Sequence, residues 1–103
     1  MTKTILITGA PDGIGLETAK MMAPLGHTLL LHGRSADKLA AAAGKVSAID
    51  GVGNVKTYQA DLTDLSQVKD MAERVKNDFQ SLDVLINNAG VLNMHDPITQ
   101  DGY

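Results

Sequence analysis

Residues 8–15 read Thr-Gly-Ala-Pro-Asp-Gly-Ile-Gly. Gly9, Gly13 and Gly15 are spaced for a tight turn between a strand and a helix, where the backbone needs angles that glycine adopts cheaply. Without a Cβ in the way, such a turn approaches a pyrophosphate closely. The first-turn N–H groups and the helix dipole then face the anion. It is not a phosphate-binding P-loop, because Leu16 follows Gly15 where a lysine would be required. Asp12 would repel a pyrophosphate through its side chain, so it reads better as a helix N-cap, with its carboxylate turned onto helix N–H groups.

A second chemical signal stands at the end of the next apolar run, Leu31-His32-Gly33-Arg34-Ser35. A site for a ribose 2′-OH places an Asp or Glu here, and there is none. Arg34 follows instead, and a guanidinium matches a phosphate with paired donors; the plainer reading is a surface arginine near a helix start. The three histidines, His27, His32 and His95, are widely spaced with no ligand-like pairing and read as polar surface or strand-edge residues. No metal site is expected. Met22 and Met71 sit at helical core spacing and read as packing.

Composition narrows the classes. The chain has 103 residues, about one domain. It is 44% hydrophobic and 20% charged, with a formal net charge of −3, which argues against disorder and against a duplex-binding surface. The absence of cysteine excludes disulfides, Cys-based zinc sites and a thiol nucleophile. Two Tyr, one Phe and no Trp make a base-stacking platform improbable. No apolar run approaches a membrane span, and the N-terminus lacks a secretory apolar stretch. A cytoplasmic protein is expected, with no nucleic-acid partner.

The elements that must position these residues alternate. Strands are expected at Lys3 to Thr8, Thr28 to His32, Val55 to Gln59 and Asp83 to Asn87. Ile5-Leu6-Ile7, Leu29-Leu30-Leu31 and Val84-Leu85-Ile86 are consecutive apolar runs, as in strands covered on both faces. Between them lie three helical patterns. The first has Ile14, Ala19, Met22 and Ala23 roughly on one side and ends at Pro24 and Gly26. The second is capped by Ser35, has Asp37 in its first turn, and has Leu39, Ala42 or Ala43, and Val46 on its apolar face. The third places Leu65, Val68, Ala72, Val75 and Phe79 on one stripe, with Asp64 and Gln67 resembling a capping box. Asp50 to Asn54 is a turn cluster. This order predicts an α/β fold with a doubly wound parallel sheet of about four strands and three helices.

Three motifs in this order, TGAPDGIG, Ala-Asp-Leu at 60–62 and Asn-Asn-Ala-Gly at 87–90, resemble the short-chain dehydrogenases/reductases across the whole chain. The resemblance implies a Rossmann-type fold, here incomplete, and a nicotinamide cofactor. It places Gly9, Gly13, Ile14 and Gly15 under the pyrophosphate, with Pro11 and Asp12 in the same turn. Asp61, with the backbone of Leu62, would hold the adenine, though Asp61 can equally cap its own loop. Asn88, Ala89 and Gly90 would line the cofactor ribose, and the basic Arg34 goes with NADP (NADPH). The tail, Pro97 to Tyr103, resembles the retinol-dehydrogenase-like branch, which suggests a small-molecule alcohol, aldehyde or ketone substrate.

The family's proton transfer uses a Tyr-x-x-x-Lys pair. Four residues after Tyr58 stands Leu62, and Tyr103 is the last residue. No catalytic residue is therefore assigned. The chain is expected to be the N-terminal cofactor-binding part of one domain, 1–103, inactive alone and with Val84 to Ile86 at an exposed apolar edge. The whole protein could still be an oligomer. A non-catalytic nucleotide-binding or regulatory module is the other reading.

Overall fold

In the computed structural model, which describes residues 2–11, 13–79 and 82–87, strand and helix alternate along the chain. The elements are β1 (Thr4–Thr8), α1 (Gly13–Met22), a 3₁₀ turn (Ala23–Leu25), β2 (Thr28–Gly33), α2 (Ala36–Ser47), β3 (Val55–Gln59), α3 (Leu65–Asp78) and β4 (Val84–Asn87). All strand pairs are parallel, in the order β3-β2-β1-β4. The expected strands and helices are present, with strand boundaries shifted by at most one residue.

The consecutive apolar runs are explained by the two faces of the sheet. Ile5, Ile7, Leu29 and Leu31 pack with Ala19 and Ala23 of the first helical segment and with Leu39 and Val46 of α2. Leu6 and Leu30 point the other way, into a second core with Met71, Ala72 and Val75 of α3. Alternation along each strand thus feeds two cores at once, so neither face tolerates polar residues in the middle. β4 is covered less well: Val84, Leu85 and Ile86 are all only half-buried. That agrees with the apolar edge expected there. Among the described residues no helix is long and apolar enough to cross a membrane.

The helix ends follow local chemistry. Ser35 caps α2, its Oγ accepting from Lys38 N–H at 3.3 Å. Asp64 caps α3, accepting from Ser66 N–H at 3.0 Å. The capping box is extended rather than closed. Gln67 donates to Asp64 Oδ2 at 3.2 Å, and its Oε1 accepts from Asp61 N–H at 2.8 Å, three residues before the cap. The 3₁₀ turn ends at Gly26 with φ +79°.

Two residues expected on apolar faces stand outside the cores. Ile14 is 77% exposed, because the buried positions of α1 are Gly15 and Ala19, and Ile14 is rotated about 100° from Gly15 on a helix of 3.6 residues per turn. Leu65, the first residue of α3, is 62% exposed, and Met71 takes a place in the buried set instead.

Gly33 and Gly53 are required by close approach. A Cβ on Gly33, at the end of β2, would stand 2.6 Å from Pro11 Cγ. A Cβ on Gly53 would stand 2.5 Å from the Gly26 carbonyl oxygen and 2.7 Å from that of His27. The first neighbour is a side chain and the second is backbone, which sets their repair apart. Gly33→Ala is expected to destabilise the protein by about 1–3 kcal/mol, and Pro11→Ala should recover much of that loss in a double-mutant cycle followed by denaturant unfolding. Gly53→Ala should cost a comparable amount, and no side-chain truncation nearby should restore it.

Candidate functional site

Parallel strands place their carboxyl ends on one edge of the sheet, and the loops there form a cleft of about 380 Å³. Its lining residues come from three loops. Gly9 and Pro11 belong to the β1–α1 turn, Gly33, Arg34 and Ser35 follow β2, and Asp61, Leu62 and Thr63 follow β3. His32 and Lys38 complete it. Gly9, Pro11, Arg34, Asp61 and Leu62, scattered over the sequence, are therefore brought together. Gly13, Ile14 and Gly15 lie at the start of α1 just after the turn. Asp12, Asn88, Ala89 and Gly90, together with His95 and Tyr103, lie outside the described residues.

The turn has the backbone that glycine permits: φ is +65° at Gly9 and +53° at Gly13. Among the described residues, apart from its chain neighbours and its own helix backbone, a Cβ on Gly13 would meet no atom within 4 Å, so the space above it is open. Across the cleft the Asp61 carboxylate is held by its own loop. Its Oδ1 accepts from Thr63 N–H at 3.0 Å and from the Thr63 hydroxyl at 2.7 Å. These bonds, with a smaller contribution from the Arg34 charge, lower its pKa below the usual carboxylate value. The loop-capping role is thus realised in a residue that also lines the cleft.

The largest departure from expectation is His32. It is 3% exposed rather than a surface residue. Its Nδ1 accepts from Gly9 N–H at 3.1 Å, and its Nε2 pairs with the Ala60 carbonyl at 2.8 Å. Its backbone carbonyl also accepts from Ala10 N–H at 2.9 Å. Desolvation lowers the imidazole pKa, opposed by the Ala60 carbonyl, so the ring is neutral at neutral pH. Strand alternation was the signal available: His32 is two residues beyond Leu30 and so shares its face, which is buried under α3. Lys38 was also not anticipated. It lines the cleft from the first turn of α2, and a lysine there, unfavourable toward the helix dipole, was the local signal available.

The rim is electrostatically divided. Arg34 and Lys38 place two cations on the β2–α2 side, and Asp61 places a carboxylate on the β3 side. This arrangement suits a ligand with an anionic group at one end and a neutral hydrogen-bonding group at the other. At the opposite side of β1, the Thr8 hydroxyl donates to Asn87 Oδ1 at 3.2 Å, joining β1 to β4 where the strand order reverses.

Tyr58 is not part of this cleft. Its hydroxyl donates to Asp78 Oδ2 at 2.8 Å, and Lys56 pairs with the same oxygen at 2.8 Å. Burial first, then the Asp78 hydrogen bond and charge, raise the phenol pKa. The effect is the reverse of what a proton-transferring tyrosine needs near neutral pH. Among the described residues no group of three His, Asp or Glu side chains could hold a metal.

The comparisons with known proteins agree with this arrangement. A family model described as short chain dehydrogenase matches residues 3–101. An uncharacterized oxidoreductase of Mycobacterium tuberculosis is 40% identical over 89 residues, covering 85% of this chain and 26% of that protein. Retinol dehydrogenase 13 of Homo sapiens is 34% identical over 101 residues, covering 98% of this chain and 30% of that protein. The crystal structure of L-sorbose reductase from Gluconobacter frateurii, complexed with NADPH and L-sorbose, superposes with a TM-score of 0.79 at 35% identity. It covers 86% of this chain and 34% of that one. The chain thus spans about a quarter to a third of the length of these relatives. With a Rossmann-type parallel sheet, a glycine turn at the carboxyl end of β1 and a match over nearly all its residues, this chain belongs to the short-chain dehydrogenase family.

Proposed function

We propose that residues 1–103 are the N-terminal, cofactor-binding part of a single NAD(P)-binding domain in an NADP-dependent oxidoreductase that acts on an alcohol, aldehyde or ketone. The observation that carries the cofactor choice is the end of β2. No carboxylate stands there. Gly33 occupies the position, and Pro11 against it leaves no room for the side chain of an acid. Arg34 follows at the rim of the cleft. An adenosine 2′-hydroxyl would find no acceptor at that point, whereas a 2′-phosphate would find a guanidinium.

The remaining residues fit the same ligand. The open space above Gly13 and the positive φ at Gly9 and Gly13 leave the backbone free to approach a pyrophosphate, with Ile14 and Gly15 in the first turn of α1. Asp61 and Leu62 line the opposite wall, where a carboxylate kept ionised by Thr63 can accept from an adenine amine. Asn88, Ala89 and Gly90 are proposed for the ribose on the strength of the family motif. NADP(H), when bound, supplies or accepts the hydride. In this chain the residues bind and orient it, and Tyr58, with its raised pKa, does not move the substrate proton. The chain by itself is therefore inactive in this reading. NADPH in the L-sorbose reductase structure and the name of the retinol dehydrogenase relative support the cofactor and the substrate class.

The test is a comparison of NADPH and NADH binding by calorimetry. A charge-assisted contact to the 2′-phosphate contributes about 1.5–3 kcal/mol, so Arg34→Ala should weaken NADPH by roughly tenfold or more and leave NADH nearly unchanged. Equal losses for both dinucleotides would assign Arg34 to the fold instead, and binding of neither by the unaltered protein would defeat the cofactor reading.

A further inference from the structure

We propose that His32 is the positioning residue of the cleft: its neutral imidazole sets the distance between the glycine turn and the β3 loop, and so controls how well a dinucleotide binds. The proposal rests on the cofactor reading above for its ligand, and on the geometry of the ring for everything else.

The ring joins two loops that carry opposite ends of the proposed ligand site. Gly9 N–H belongs to the turn placed under the pyrophosphate, and Ala60 directly precedes Asp61 on the adenine side. One neutral tautomer satisfies both contacts, with the proton on Nε2 donated to the Ala60 carbonyl and the Nδ1 lone pair accepting from Gly9. Protonation would place an Nδ1–H against the Gly9 N–H, two donors facing each other with little water to separate them. The turn would then have to move away from β2, although Ala10 N–H still bonds the His32 carbonyl. Protonation of His32 therefore loosens the first residue of the glycine turn.

Gly9, Ala10 and Pro11 bring no charged group to the ring from the turn, and Asp12 lies outside the described residues. From the β3 side come Tyr58, the register partner of His32, which stays neutral, and Asp61. Arg34 follows on the same strand end, Lys38 stands at the start of α2 and Asp64 at the start of α3. Burial is the main influence on the ring and disfavours its charged form. The unfolded chain, with an imidazole titrating near 6.5, binds the proton more readily than the folded one. The stability that neutral His32 confers is therefore full above that pH and is lost as pH falls below it.

Two substitutions separate the two contacts. His32→Asn keeps an acceptor near the place of Nδ1 and cannot titrate. His32→Gln reaches toward the Ala60 carbonyl and offers nothing to Gly9. The measurements are the amide-exchange protection of Gly9, corrected for the intrinsic rate, and NADPH affinity, both at about pH 7.5 and about pH 5.5, either side of the imidazole range. In the unaltered protein, Gly9 protection should fall by roughly tenfold at the lower pH, because an opened turn frees a ring that takes up a proton more readily than the buried one, and NADPH affinity should fall by more than it does in His32→Asn. In His32→Asn the protection should stay near the neutral-pH level at either pH, and NADPH affinity should keep only the pH dependence of the nucleotide's own 2′-phosphate, whose second ionisation lies at about 6. In His32→Gln both should be low throughout, with the far-ultraviolet circular dichroism of a folded chain.

Gly9 protection that is the same at both pH values in the unaltered protein overturns the proposal, as does wild-type protection in His32→Gln. If His32→Gln does not fold, the pH response of the unaltered protein set against His32→Asn decides. If the unaltered protein takes up no NADPH, the cofactor reading fails, while Gly9 protection still judges the role of His32.

Discussion

A parallel sheet must bury both of its faces, because each strand returns to the same edge through a helix that lies across it. That constraint organises the whole chain. Ile5 and Ile7 face α1 and α2 while Leu6 faces α3, and β2 repeats the division with Leu29, Leu30 and Leu31. Because the strands are parallel, the loops after β1, β2 and β3 all open at one edge. The cleft is what remains between them once the helices have been drawn over the two cores. The site is thus a consequence of core packing, with its chemistry added at loop positions where burial no longer dictates residue type.

The loops at that edge carry backbone groups that the sheet no longer pairs, and a buried group left unpaired would be costly. The structure closes most of this account with a few residues. Gly9 and Ala10 donate to the ring and carbonyl of His32, Ala60 donates to the Gly33 carbonyl, and Gln59 donates to that of Arg34. Among the described residues, no buried side-chain nitrogen or oxygen lacks a partner. The backbone groups around the cleft and the Asp61 carboxylate are held in place before any ligand arrives, which reduces the ordering cost of binding.

Charge is partitioned between the cleft and the far end of the sheet. Arg34 and Lys38 face Asp61 across the opening, whereas Lys56 pairs with Asp78 and Arg74 lies 5.9 Å from the Tyr58 ring centroid on the α3 side. The second group ties β3, an edge strand, to α3. Lys56 on that edge also discourages pairing with another strand. The two groups contain similar residue types; the first lines the cleft, and the second holds β3 against α3.

Local rules account for most of the fold. Alternation and helical period are properties of neighbours a few residues apart, so the strands at Thr4–Thr8 and Val55–Gln59, the caps at Ser35 and Asp64, and the glycine turn could be read directly from the chain. Contacts across long separations could not. His32 is 23 residues from Gly9 and 28 from Ala60, and nothing near it in sequence indicates that its ring spans the gap between them. Gly33 could be read as a missing acid, but the collision with Pro11 that excludes one exists only after β1 and β2 pair. Ile14 and Leu65 satisfied an apolar pattern and were left exposed, Ile14 because it lies about 100° around α1 from the buried Gly15 and Leu65 because it is the first residue of α3. The kinds of element and their order follow from short-range physics; which loop groups meet, and at what distance, is decided only when the strands associate.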